Sequence, residues 1–285
     1  MIKQKTIKQP VTIEGVGLQT GNKVTLILKG SPANSGINFI RADLPNKPLL
    51  NIQSVNLKDC EPQGIERRTT LGIGPLQVET TEHLMAALWG GSIDNIVIEL
   101  NNVELPGLDG SAKIFLDLLK KGGITEQDAP KKNLKINEVV WCKGDDSLIA
   151  IFPDDSFRIS YTLSYKDTSI GTQFLSLVLD KENFESEIAP ARTFCLEAEA
   201  LQLLKQGFGK GANCDNTLVI GKNGPIKNVL RFPNEPVRHK ILDLLGDLYI
   251  LGASIKGHIV AIKSGHELNM ELVKKIQNLK LKSQN

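Results

Sequence analysis

At 285 residues, 41% of them hydrophobic and 23% charged, the chain can bury a core without disulfides or a structural metal. At roughly 100–200 residues per domain it divides naturally in two. Thirty-four lysines and arginines against thirty-two acidic residues leave a net charge of +2, which excludes the clustered positive field of a general nucleic-acid binder.

The opening residues, MIKQKTIKQP, hold no apolar core of a secretory leader. The densest apolar stretch, 244–255, is broken by Gly246, Asp247 and Gly252, so it falls short of the roughly 18–20 residues that span a bilayer. A soluble, cytoplasmic protein is expected. Cys60, Cys142, Cys195 and Cys214 are scattered, with no C-x-x-C pair. That fits reduced thiols better than a zinc ribbon or a disulfide scaffold.

Along the chain, glycines in Glu14-Gly15-Val16-Gly17-Leu18 and Thr20-Gly21-Asn22 mark turns. Val24, Leu26 and Leu28 then alternate with Thr25, Ile27 and Lys29, the period of a half-buried strand. Thr80 and Thr81 offer N-cap hydroxyls to a helix through Leu84, Ala87 and Leu88 that stops at Gly90-Gly91. A second helix is expected over 112–121, with Ser111 as its cap, ending at Gly122-Gly123. The polar stretch 125–133 reads as a linker between an N-terminal α+β domain, 1–128, and a C-terminal α+β domain, 129–285.

Past it, strands are expected at 134–141, 148–152, 157–165 and 173–179, and helices over 194–206 and 236–251, with Pro236 in a first turn. A strand at 259–263 and a helix over 268–279 close the chain. Strands in runs and helices in pairs predict an α+β fold rather than an alternating parallel sheet. A faint echo supports two similar halves: a His-bearing helix, a Gly/Ser turn and a β-branched strand occur at 91–97 and again at 252–260.

The four histidines are His83, His239, His258 and His266. His239 and Asp243 are four apart on a helical pattern, so both emerge on one face and can reach one divalent ion; the same spacing also serves a salt bridge. Arg238, Lys240 and Asp247 crowd that helix. Glu82-His83 opens the other helix, placing a metal ligand beside a proton acceptor as in hydrolytic zinc sites, although a half-buried structural histidine fits as well. His266, after Gly265, sits where an imidazolium steadies an oxyanion or protonates a leaving amine, or where it merely caps a helix. His258 reads as structural. Gly207-Phe208-Gly209-Lys210-Gly211 matches neither phosphate-loop spacing and is expected as a flexible loop.

Together the segments Glu14-Gly15-Val16-Gly17-Leu18, Thr81-Glu82-His83-Leu84, Asp109-Gly110-Ser111-Ala112, Ala191-Arg192-Thr193-Phe194, the run from Arg238 to Leu248, and Lys263-Ser264-Gly265-His266 carry more than any one alone. In that order the chain closely resembles the UDP-3-O-acyl-N-acetylglucosamine deacetylase family, the zinc amidases of lipid A biosynthesis. The resemblance implies two layered α+β domains with the active site between them. It implies removal of the N-acetyl group from a UDP-3-O-acyl-N-acetylglucosamine, a small-molecule lipid precursor. A monomer is expected, and the near-neutral charge argues for no stable membrane insertion. Carried over residue by residue, it makes His83, His239 and Asp243 the ligands of Zn²⁺, with Fe²⁺ as the alternative ion. Glu82 becomes the base, His266 the charged partner oriented by Asp247, and Thr193 the oxyanion donor; Phe194, Lys240 and Lys263 contact substrate. An insert near 194–211 is expected to build an acyl-chain passage from Leu196, Leu201, Leu203, Leu204 and Phe208. One position departs from the family's pattern: Gln19 stands where a histidine is usual. Some relatives carry a fused acyl-carrier-protein dehydratase, which 285 residues are not expected to hold.

Overall fold

A computed structural model describes residues 2–52 and 68–282. Cys60 lies outside them; among the described residues, Cys142, Cys195 and Cys214 form no disulfide. The first half runs β1 (Lys3–Ile7), β2 (Val11–Val16), β3 (Lys23–Gly30), β4 (Ile37–Arg41), β5 (Leu49–Asn51), β6 (Thr70–Leu71), β7 (Val78–Glu79), α1 (Glu82–Gly91), β8 (Ile96–Leu100), α2 (Lys113–Lys121) and β9 (Ile124–Pro130). Next come β10 (Asn133–Lys135), β11 (Val140–Lys143), β12 (Leu148–Phe152), β13 (Phe157–Tyr165), β14 (Gly171–Val178), the turn α3 (Lys181–Asn183), β15 (Phe194–Leu196) and α4 (Glu197–Lys205). β16 (Leu218–Gly221), β17 (Gly224–Pro225), α5 (Glu235–Tyr249), β18 (Ser254–Ile262) and α6 (His266–Lys282) complete the chain.

The two main sheets share one topology. Strand order is β2-β3-β8-β4-β5 in the first and β11-β12-β18-β13-β14 in the second, with β10 added beside β18. In each, the strand that follows the long buried helix inserts at the centre, antiparallel to one neighbour and parallel to the other. The registers correspond: Leu28, Ile98 and Phe39 align across the first sheet, and Ile151, Ile259 and Ile159 across the second. All six side chains are fully buried. The echo between 91–97 and 252–260 is therefore the helix-to-central-strand step of two alike units. The α+β class is the one the pattern of elements predicts.

α2 packs on β2, α5 on β13 and β14, α6 on β11 and β12, and α1 lies against both α2 and α5. α1 and α5 are buried almost all round, because each is covered on more than one side. Their contact joins the two units into one apolar core.

Several local expectations change. The stretch 125–133, read as a linker from its polarity, is mostly β9, paired antiparallel with β1; a two-stranded surface ribbon buries little, so its sequence carries no apolar alternation. A boundary after Asp128 falls inside that strand. Thr80 and Thr81 do not cap α1: Thr80 donates its hydroxyl to Glu104 at 3.0 Å, and Thr81 to the Thr69 carbonyl at 3.3 Å. The expected helix at 194–206 begins as strand β15, parallel to β16, before turning into α4. The last helix, expected from residue 268, begins at His266.

Candidate active site

α1 and α5 cross closely enough for Glu82 and His83 to face His239, Asp243 and Asp247, and α6 adds His266 from a third direction. One ligand atom from each of His83, His239 and Asp243 lies within 4.8 Å of the other two. Asp243 Oδ1 is 3.2 Å from His239 Nε2 and 3.8 Å from His83 Nε2. Ligands about 2.0–2.1 Å from a tetrahedral ion stand about 3.3 Å apart, so the set is near the spacing one cation requires.

The donor chemistry agrees. His239 Nδ1 lies 3.0 Å from the Ala191 carbonyl, which fixes the proton there and leaves Nε2 to face Asp243. Burial, then the neighbouring His239, pushes the His83 pKa down to about 3, so its imidazole is neutral. Burial works against charge on Asp243 too, but His239 and Lys240 hold its carboxyl well below the usual range. Lys240 donates to Asp243 Oδ2 at 2.7 Å, leaving Oδ1 toward the histidines. The imidazole nitrogens of His83 and His239, with the ionised Asp243 carboxylate, make a donor set that fits a divalent metal ion.

An acid–base pair flanks these donors. Burial is the chief cause that raises the Glu82 pKa to about 7, with His266 opposing it. For His266 burial disfavours the cation, yet the Asp247 carboxylate overcomes it and the pKa rises to about 9. Asp247, fully buried, accepts from His266 Nδ1 at 2.9 Å and from Asn269 Nδ2 at 2.8 Å. Thr69 ties the pair together: its hydroxyl donates to Asp247 Oδ1 at 2.5 Å, and its N–H donates to Glu82 Oε2 at 3.0 Å. His266 Nε2 is left 4.0 Å from Asp243 Oδ2, on the cleft side.

The cleft has a volume of about 470 Å³. Glu82, His83, Thr193, Phe194, His239, Lys240, Asp243, Lys263 and His266 all line it, and Asp247 stands behind them. Sequence reasoning missed Tyr161 and Arg68, which also line it, and Thr69 and Asn269, which hold Asp247. No spacing rule marks residues that act through tertiary contacts alone. Lys263 reaches the cleft wall with its ammonium bound to Asp146. Of the insert expected to carry an acyl passage, Phe194 lines the cleft, whereas Leu201 and Leu204 are more than half exposed.

A further missed residue, Glu235, explains the segment from Ala191 to Thr193. Its fully buried carboxylate accepts from Arg192 N and Nε, both at 2.9 Å, and from Arg231 N at 2.6 Å. That fixes the backbone on which the Ala191 carbonyl meets His239. Thr193 is held in turn by N–H donation to the Gly110 carbonyl at 2.8 Å.

A donor set of two histidines and an aspartate, open toward a cleft and flanked by a base and an imidazolium, defines a metallohydrolase. The chain belongs to the UDP-3-O-acyl N-acetylglycosamine deacetylase family, whose model matches residues 4–278. It is 40% identical to the UDP-3-O-acyl-N-acetylglucosamine deacetylase of Chlamydia pneumoniae over 96% of both chains. It is 38% identical to that of Chlamydia trachomatis serovar D over 96% of this chain and 94% of the relative. Against the bifunctional enzyme LpxC/FabZ of Chlorobaculum tepidum it is 39% identical, spanning 64% of that longer protein.

Proposed function

We infer that this protein is a hydrolase that removes the N-acetyl group from a UDP-3-O-acyl-N-acetylglucosamine, giving the free amine and acetate for lipid A biosynthesis. The observation that carries this reading is the pairing of Glu82 and His266 on either side of the His83–His239–Asp243 donors in one cleft. Those three side chains would hold the metal, assigned as Zn²⁺ with Fe²⁺ as the alternative that the same donors accept. A divalent ion there supplies Lewis acidity, which makes water nucleophilic near neutral pH and polarises an amide carbonyl.

Glu82, ionised above about pH 7, takes the proton of the attacking water. Thr193 donates its hydroxyl to the oxyanion as the carbonyl carbon becomes tetrahedral. His266, cationic and oriented by Asp247, gives its proton to the departing nitrogen, which releases acetate. Lys240 and Lys263 place positive charge on the cleft wall for the nucleotide-sugar, and Phe194 offers an apolar face.

Two units, one built on each of the matching sheets, form the walls of this site, with the chain passing from one to the other after β9. We assign the reaction to the cytoplasm and to a monomer. No helix among the described residues is long and apolar enough to cross a membrane. The test is to incubate purified protein with UDP-3-O-acyl-N-acetylglucosamine and measure amine and acetate. Equal amounts of both are expected; neither appearing overturns the reading.

A further inference from the structure

Gln19 occupies a junction between the two halves of the chain. It lies in the loop between β2 and β3 and, with Leu18, lines the cleft. A buried carboxylate anchors that loop from beneath: Glu104 accepts from Gln19 N and Thr20 N, both at 2.8 Å, and from the Thr20 hydroxyl at 2.7 Å. The same carboxylate accepts from Thr80, two residues before Glu82.

On its other side the loop meets the segment 207–211, expected from sequence to be flexible. Lys210 N donates to the Gln19 carbonyl at 3.2 Å, Gly211 N to the Leu18 carbonyl at 3.1 Å, and Gly209 N to the Gln19 side-chain Oε1 at 3.1 Å. The approach is close enough that a Cβ on Gly211 would lie 2.1 Å from the Gly17 carbonyl oxygen. The segment carries Phe208, whose ring centroid is 5.9 Å from the guanidinium carbon of Arg68, itself a wall of the cleft.

We propose that Gln19 is a positioning residue for substrate binding: its side-chain carbonyl latches the Phe208 segment of the C-terminal half onto the loop of the N-terminal half at the mouth of the cleft. The proposal rests on the deacetylase reading above. Two of the three latch bonds use backbone groups that any residue supplies. The third needs an acceptor at the reach of a glutamine, so the side chain decides whether Gly209 is held.

Gln19→Met keeps length and removes the acceptor, and Gln19→Glu restores it. Amide hydrogen exchange on the full chain reads the latch directly, and steady-state kinetics on UDP-3-O-acyl-N-acetylglucosamine read its consequence. In Gln19→Met, exchange at Gly209 is expected to quicken and KM to rise by about three- to ten-fold, the worth of one neutral hydrogen bond, with kcat within about two-fold of wild type. Gln19→Glu is expected to return both toward wild type. Unchanged exchange at Gly209 in Gln19→Met overturns the proposal, as does a fall in kcat with KM unaltered. A wild type that deacetylates nothing overturns the functional reading instead, while the exchange measurement still decides whether the latch exists.

Discussion

Gly246 sits against the backbone of Glu82: a Cβ built on it would lie 2.1 Å from the Glu82 carbonyl oxygen and 2.9 Å from its α-carbon. The missing side chain lets α5 approach α1 at the level where the two helices contribute their ligands. Gly246→Ala forces backbone against backbone, with no flexible side chain to yield. Overpacking of that kind costs about 1–3 kcal/mol. The expected result is a lower denaturation midpoint and weaker metal binding; wild-type values for both would show that the helices separate freely.

Glu82→Gln keeps the shape of the side chain and an acceptor for Thr69 N, but it cannot take a proton. Metal content by elemental analysis is expected to stay at the wild-type level while acetate release drops by about 10²-fold or more. An unchanged rate removes Glu82 from the reaction.

His239→Ala takes away one of three donors and leaves the Ala191 carbonyl without its partner. Bound metal is expected to fall well below one equivalent after dialysis. Added chelator should inactivate the wild type, and added Zn²⁺ should restore it. Retention of a full equivalent in the variant would place the ion elsewhere.

Activity should follow a bell-shaped pH profile. In the proposed reaction Glu82 acts ionised and His266 protonated, so rate rises as pH passes the first pKa and falls as it passes the second. In the metal-free protein these lie at about 7 and about 9. A bound cation beside Glu82 favours its ionised form, which moves the acid limb below 7. Asp247→Asn removes the main charge that raises His266, so the basic limb should shift to lower pH. A basic limb that stays in place would dissociate it from His266.

Arg192 and Glu235 form a buried ion pair, with side-chain exposures of 6% and 0%. Removing one partner of such a pair strands a charge and costs about 3–5 kcal/mol. Arg192→Ala should therefore lower the unfolding free energy in a urea titration by about that amount. It should also reduce activity, because the carbonyl that holds His239 lies next door. A loss under about 1 kcal/mol would mean that the backbone N–H groups of residues 192 and 231, which also donate to Glu235, suffice without the guanidinium.

Much of the site is legible one helix at a time. His239 and Asp243 sit one turn apart, so their shared face follows from helix geometry, and Glu82 and His83 mark the head of α1. The strands of the second half could be read because Ile149, Ile151, Ile159 and Ile259 lie in runs of apolar, β-branched residues. β9 could not, since a ribbon with one partner has no apolar face to reveal it. Thr80 and Thr81 misled for a related reason: their hydroxyls suit a cap, but Glu104 and the Thr69 carbonyl, distant in sequence, supply other acceptors.

What the sequence determined by itself is the set of elements that carry chemistry, the two-fold repetition of the fold, and through its motifs the family. These depend on interactions within a few residues, or on patterns copied intact along the chain. The tertiary structure decided which elements meet. Thr69 joins Asp247 to Glu82, Glu235 braces the segment before Thr193, and Gln19 reaches Gly209 across 190 positions. Each depends on a few hydrogen bonds or ion pairs between segments far apart in the chain, which exist only once the apolar faces of α1 and α5 have packed.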